Sequence, residues 1–385
     1  MAQRSSNEPA EHVGVMRNSL IMRSEASTPR PRRRLPAALM TLLLACAPLV
    51  ACAHYFGSEL DIPGLDPGTA SSDQTNARAA LDYLTPDGET SDGKWMPGEQ
   101  TQQRWEALEE GHWNSTSLEE LTAAMAAVST MRTDQDEQTA AKATWIVAKS
   151  MEFAVGQVPL KDYTDTMKQN LAALLANSPK ELAGLASGDS LDASPPGYDL
   201  SGLVTDTQFE TVLYRVIDDE NAADTLVTTM LQYHHDQVGS NMPTATNLEA
   251  TLRGNYRNAA MTMGYLDGIA ELRAGDNTPD TVDGADIDTV LRAQAYVDAA
   301  NYGLLSDATM EAAATGNNGG PFSFYTEVDG QPTITAPDPM TPQAAHEYIN
   351  WEDLVHDSVM NSLDITIATG DQTGRKQGHG AKITK

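Results

Sequence analysis

Cysteine is almost absent from this sequence. Its two thiols, Cys46 and Cys52, lie within or directly after an uncharged segment near the N-terminus. No cysteine follows Cys52, so residues 53–385 contain no disulfide, no thiolate metal site and no cysteine nucleophile.

Basic residues, aromatic residues and long apolar runs are also scarce. The 385 residues hold 25 Lys and Arg against 54 Asp and Glu, a net charge of −29. Such a charge repels phosphate backbones, which argues against a nucleic-acid partner. Aromatic residues make up only 6%, so the core must be built on Ala, Leu, Val and Met. One uncharged stretch, residues 35–51, is apolar enough to enter a bilayer, which excludes a multispanning membrane protein.

That stretch has the form of a secretory signal. Residues 30–34 read R-P-R-R-R and precede the uncharged segment directly. A basic region ahead of a short apolar region is how signal peptides are built. The segment contains two prolines and is shorter than the roughly 20 residues of a membrane-spanning helix, which favours cleavage. We therefore predict a signal peptide over residues 1–51, with Met16 or Met22 as the true start.

The end of this segment is more specific. Leu49-Val50-Ala51-Cys52 resembles the lipobox of bacterial lipoproteins. The resemblance implies that the thiol of Cys52 is diacylglycerated, that the chain is cut before it, and that the membrane is reached through this lipid, on the extracytoplasmic face. The alternatives are a lipobox ending at Cys46, an ordinary secretory signal and an uncleaved anchor.

Beyond the signal the chain is acidic and helical in pattern. Removing the seven arginines and three glutamates of residues 1–51 leaves 18 basic and 51 acidic residues, a net charge of −33. Apolar residues recur at helical spacing, and the only strand signal is a hairpin around Asp329-Gly330. We predict a mainly α fold, multi-helix and bundle-like, with at most one short β-hairpin over about residues 322–335. The predicted parts are a flexible tether over 52–73, helical regions over 74–187 and 202–369 with a boundary at 187–201, and a disordered basic tail over 370–385.

Three groups of side chains are candidate sites. Glu352 and His356 are spaced to share a helix face, as a general base or a zinc ligand requires, although an ordinary charged helix pair has the same spacing. Asp283 and Asp286 belong to an Asp-rich loop suited to calcium, or to a solvated turn with a helix cap at Asp286. His234-His235 is predicted to be a solvated or helix-end pair, with a metal site as the alternative. Trp351 is predicted to pack against the hairpin.

The sequence contains no catalytic, phosphate-binding or dinucleotide-binding motif, which argues against an enzyme. The leading interpretation is a non-catalytic scaffold or protein-interaction module of the cell envelope, with a possible envelope protein partner and no cofactor. The alternatives are an extracytoplasmic hydrolase and a solute-binding lipoprotein. The order of acidic helices, a hairpin and a Trp-bearing helix over residues 304–351 also resembles helical regions of actinobacterial secretion- and toxin-associated proteins of unknown function, which implies no site residues.

Overall fold

The computed structural model describes residues 74–193, 199–275, 278, 280–316 and 320–384, and over these residues the predicted mainly α fold is confirmed. Within them lie thirteen α-helices and two antiparallel hairpins. The alternation of strands and helices expected of a solute-binding lipoprotein is not found in these ranges. None of the described helices combines the length and hydropathy needed to cross a bilayer.

The elements follow one another in this order: α1 (Gln74–Leu84), β1 (Gly88–Ser91), β2 (Lys94–Pro97), α2 (Glu99–Glu109), α3 (Ser115–Ser129), α4 (Glu137–Gly156), α5 (Asp165–Ala176), α6 (Pro179–Ala186), α7 (Asp206–Val216), α8 (Glu220–Asn241), α9 (Leu248–Ala274), α10 (Gly284–Asn301), α11 (Asp307–Thr315), β3 (Tyr325–Val328), β4 (Gln331–Ile334), α12 (Pro342–Glu352) and α13 (Ser358–His379).

Side-chain oxygens start most of these helices. At α7, Gln208 N donates to Thr205 Oγ1 over 3.2 Å while Thr205 N donates to Gln208 Oε1 over 2.9 Å, a complete capping box. The spacing of Ser117 and Glu120 also suggests a capping box, but α3 begins earlier. Asn114 caps it, with its Oδ1 accepting from Ser117 N over 2.9 Å.

The predicted hairpin forms as β3 and β4, and Asp329 and Gly330 both adopt positive φ, as a tight turn at this dipeptide requires. Trp351 is fully buried against Phe324, with 5.5 Å between ring centroids, which confirms its predicted packing role. Tyr348 stacks on the same phenyl ring at 4.2 Å.

A second hairpin, β1 and β2, exceeds the predicted maximum of one. Its turn is Asp92-Gly93, again with positive φ at both residues. The Asp-Gly dipeptide is the sequence signal for this turn, but each strand has only four residues and β1 is polar throughout. Nearby, the carboxylate of Asp87 accepts hydrogen bonds from the backbone amides of Gln100 and Thr101. Asp87 therefore caps α2, although it precedes β1 in the sequence.

The predicted boundary at residues 187–201 does not separate two packed bodies. Elements on its two sides contact each other directly: α4 packs on α7, α5 on α8, and α6 on α9. Described residues of the segment are also held by buried carboxylates. Asp206 accepts from Leu191 N over 2.7 Å, and Glu181 accepts from Leu200 N over 3.3 Å. The composition resembles a linker, but the backbone amides of Leu191 and Leu200 are bonded to buried side chains of the fold.

The predicted disordered tail is wrong over residues 370–379, which continue α13. Gly370, Gly374 and Gly378 are buried on one face of α13 against α9, which runs parallel to it. A Cβ at Gly370 would lie 2.6 Å from the carbonyl oxygen of Arg257. Because the glycines recur every fourth residue, they form a continuous bare face on which another helix backbone can rest. Composition alone suggested flexibility, whereas the spacing creates a packing surface.

Asp357 links α13 to α11. Its Oδ1 accepts from Val359 N over 2.8 Å, and its Oδ2 accepts from Ser306 N over 3.1 Å and from Thr309 Oγ1 over 2.7 Å. Burial raises the pKa of this carboxyl, but these hydrogen bonds outweigh burial and hold the pKa below its usual range.

We expect Asp357→Ala to lower the free energy of unfolding by about 2–4 kcal/mol, since it removes a helix cap and leaves buried donors unsatisfied. Asp353→Ala, at an exposed position just after α12, is the matched control and is expected to change it by less than about 0.5 kcal/mol. Urea denaturation measures both. Equal losses in the two variants would contradict the linking role of Asp357.

Candidate functional site

Ionisable side chains concentrate where α9, α10, α12 and α13 meet. Carboxylates from all four helices lie around two arginines, one on α10 and one on α13. We call this set the carboxylate cluster, and its members are Asp267, Glu271, Asp288, Glu352, Asp364 and Asp371 with Arg292 and Arg375.

Arg375 is the first centre of the carboxylate cluster. Its guanidinium lies 2.5 Å from Asp267 and 3.3 Å from both Glu271 and Asp371. His379 Nε2 lies 2.8 Å from the second oxygen of Glu271. One guanidinium therefore faces three carboxyl groups, and the helix spacing of four residues brings Asp371 and Arg375 to the same face of α13.

Asp267 is the most perturbed group of the carboxylate cluster. Its side chain is 5% exposed, and burial raises its pKa to about 7 despite the opposing effect of Arg375. Glu271, Asp280 and Asp371 raise it further. The first residue of α10, Gly284, makes room for this carboxyl, since a Cβ there would lie 3.2 Å from Asp267 Cγ.

Arg292 is the second centre. It lies 2.8 Å from Asp288 and 3.9 Å from Asp364, and the hydroxyl of Tyr296 donates to Asp364. Burial raises the pKa of Asp364, while the Tyr296 hydrogen bond and Arg292 oppose that shift. Burial likewise raises the pKa of Asp288.

Chemically, this arrangement is an excess of carboxylates in partly desolvated surroundings. Such groups take up protons closer to neutral pH than ordinary carboxylates do, and they attract cations. No group of three or more His, Cys, Asp or Glu side chains suited to holding a metal ion is found in the described ranges.

The predicted pair Glu352 and His356 does not share a helix face. Glu352 is the last residue of α12, and His356 lies four residues later outside any helix with its side chain exposed. A spacing of four residues places two side chains on one face only within a continuous helix, and α12 ends at Glu352. Glu352 instead belongs to the carboxylate cluster: burial and then Asp364 raise its pKa, while Arg292 and His356 lower it.

Asp283 and Asp286 lie at the start of α10. Asp283 is the N-cap, with its Oδ1 accepting from Ala285 N and Asp286 N over 3.1 Å each. The predicted cap at Asp286 is therefore three residues too late, because Gly284 and Ala285 already belong to the helix. Burial raises the pKa of Asp286, and the neighbouring Asp283 adds to the shift. The predicted lipidation site, Cys52, lies outside the described residues.

His234 is not solvated as predicted. It lies in the middle of α8, is 6% exposed, and its Nε2 is 2.9 Å from Thr262 Oγ1 on α9. Burial lowers its pKa to about 4. The sequence does contain a signal for the burial of His234. This residue continues an apolar stripe at four-residue spacing, formed by Leu226, Met230 and Val238. His235 points away and is exposed.

Comparisons with known proteins give one family and no function. No curated protein and no solved structure matches this chain. One family model, described as a family of unknown function (DUF6571), matches residues 74–288, from the first residue of α1 to the fifth residue of α10. The matched region thus supplies α9 and the start of α10 to the carboxylate cluster. Because the match covers more than half of the 385 residues, the chain belongs to the DUF6571 family.

Proposed function

We propose that this protein is a bacterial lipoprotein whose helical domain acts as a non-catalytic interaction module on the outer face of the cytoplasmic membrane. The observation that carries the proposal is Leu49-Val50-Ala51-Cys52 at the end of an arginine-headed apolar segment. In lipoproteins, two acyl chains on such a cysteine hold a water-soluble domain stably, whereas one chain binds only marginally.

The charge distribution supports this topology. Seven arginines precede the lipobox, as expected for a segment that stays on the inner side during export, while the rest of the chain carries a net charge of −33. The predicted tether, residues 52–73, would reach at most about 75 Å when fully extended. The domain would therefore act close to the membrane surface that holds it.

The carboxylate cluster supports an interaction role and suggests the partner's chemistry. Six carboxyl groups around two arginines leave a local negative excess. A basic partner surface would relieve that excess, and its association would slow as salt screens the attraction. We therefore propose an envelope protein with a basic contact surface as the partner.

The test is metabolic labelling with a palmitate analogue in a bacterial host. We expect the wild-type protein to take up label and to fractionate with the membrane. Cys52→Ala should lose the label and accumulate as an uncut precursor, because the acylated thiol is the substrate of the cleavage step.

Cys46→Ala is the matched control, since it removes the other thiol six residues earlier and should leave labelling unchanged. Loss of label in Cys46→Ala with retention in Cys52→Ala would move the anchor to the alternative lipobox. An unlabelled wild type would refute the anchoring altogether.

A further inference from the structure

A cleft of about 600 Å³ lies on the side of the domain formed by α3, α4 and α5. One wall is the connection from α2 to α3, and the other is the connection from α4 to α5. The lining includes Trp113 and Tyr163 together with His112, Asn114, Gln157, Lys161 and Asp162. Its volume is typical of small-molecule sites, and it lies apart from the carboxylate cluster.

The aromatic part of the cleft is held rigidly. The indole nitrogen of Trp113 donates to the carbonyl of Leu108 over 2.9 Å, and its ring meets Phe153 edge-to-face at 5.6 Å. Only part of the indole is buried, so the remainder is available to a ligand. Tyr163, also in the lining, is buried and donates its hydroxyl to the carbonyl of Ala154 over 2.7 Å.

The walls are also fixed by hydrogen bonds. Asn114 uses its Oδ1 to cap α3, and Thr164 caps α5 while its hydroxyl donates to Glu119 over 2.6 Å. Asn114 is exposed while its Oδ1 serves as the cap. A ligand would therefore meet a preformed surface, and its binding would cost little conformational entropy of the protein.

The rim of the cleft carries both donors and acceptors and little net charge. His112, Gln157, Lys161 and Asp162 are all exposed. Lys161 and Asp162 are adjacent and opposite in charge, which leaves the cleft close to neutral in a strongly acidic chain. An apolar ligand would strip water from these groups without replacing its hydrogen bonds. An anion would meet Asp162 and the repulsion of the whole acidic domain.

We propose that this cleft binds a neutral oligosaccharide. A pyranose ring has an apolar C–H face that fits the exposed indole of Trp113, and its edge carries hydroxyl groups that both donate and accept. Amide and carboxyl side chains such as Gln157 and Asp162 are suited to bond neighbouring hydroxyls. The proposal does not depend on lipid anchoring.

The test is a titration of the purified protein with maltotriose, cellotriose and chitotriose, followed by saturation-transfer NMR and calorimetry. We expect at least one trisaccharide to bind with a Kd of about 0.1–10 mM. Trp113→Ala should weaken binding at least about tenfold.

Trp113→Ala also removes core contacts, so its weaker binding could reflect a disturbed fold. A second variant therefore tests the cleft without changing the core. Asp162→Ala combined with Gln157→Ala changes only exposed side chains and should weaken binding about tenfold as well. Asp165→Ala, an exposed aspartate outside the lining, is the matched control and should bind as wild type does.

Absence of binding by all three sugars at about 10 mM would overturn the proposal, as would binding unchanged in the Asp162/Gln157 double variant. Saturable binding of inorganic phosphate at these residues in place of sugar would also overturn it, in favour of an anion site.

Discussion

Replacing Gly374 by alanine is expected to lower the free energy of unfolding by about 2–4 kcal/mol, whereas the same change at Gly254 should raise it by up to about 1 kcal/mol. Both glycines are helical, so alanine improves the intrinsic helix propensity equally at each. The difference arises from their surroundings alone.

Gly374 of α13 faces the backbone of α9. A Cβ there would collide with the carbonyl oxygen of Met261 and lie 2.9 Å from its Cα, and neither atom can move without shifting the helix. Gly254 of α9 is exposed, and a Cβ there would meet nothing within 4 Å. Overpacking a close backbone contact costs more than the gain in propensity.

Urea denaturation followed by far-ultraviolet circular dichroism measures both changes, and equal m-values would show that the unfolding reaction is the same. Gly239→Ala on α8, also exposed with open space around it, gives a second reference for the favourable case. If Gly374→Ala were as stable as Gly254→Ala, the close approach of α9 and α13 would be refuted.

The second large effect concerns pH. We expect His234 to destabilise the domain progressively as pH falls from about 6.5 to about 4, by about 3 kcal/mol in total. Burial lowers the pKa of His234 to about 4 in the folded state, so only the unfolded chain takes up its proton over this interval. The stabilising contribution is complete above the unfolded pKa and is lost as pH falls through the folded one.

His234→Gln is the informative variant because glutamine can still bond Thr262 but does not titrate. The stability difference between wild type and His234→Gln should change by about 2 kcal/mol between pH 7 and pH 5, in favour of the variant at pH 5. His235→Gln, on the exposed neighbour, is the matched control for replacing a histidine on α8.

The comparison must be made against wild type at each pH, because Asp267 acts in the opposite direction. Its folded pKa is raised to about 7, so its contribution is complete below its ordinary pKa and is lost as pH rises through 7. The two effects partly cancel in wild-type protein. A wild-type profile that is flat from pH 7 to pH 5 therefore agrees with our expectation, whereas identical profiles for wild type and His234→Gln contradict it.

Much of the architecture was predictable from periodicity and turn chemistry. The helical spacing of apolar residues predicted a mainly α chain, and Asp329-Gly330 predicted the β3–β4 turn. Two segments differ from what their composition predicts. The segment around residues 187–201 resembles a linker and the segment from Gly370 resembles a tail, but each is held by contacts with elements distant in sequence.

The candidate site was only partly predictable, for a related reason. Glu352 was singled out by its spacing to His356, yet its actual neighbours Arg292 and Asp364 lie on other helices. Local patterns identify partners within one helix, whereas burial and the meeting of four helices determine which carboxyl groups are perturbed. Asp267 carried no local sign of its pKa near 7, since that shift arises from its burial beneath α10 and α13.

The glycine-mediated pairing of α9 and α13 also fixes when the domain can finish folding. Until residues 358–379 emerge, the face of α9 that packs on α13 is uncovered, although α9 also packs on α8 and α10. A contact so distant along the chain forms slowly, because its loop must close first. The packing around α9 is therefore complete only after α13 has been made.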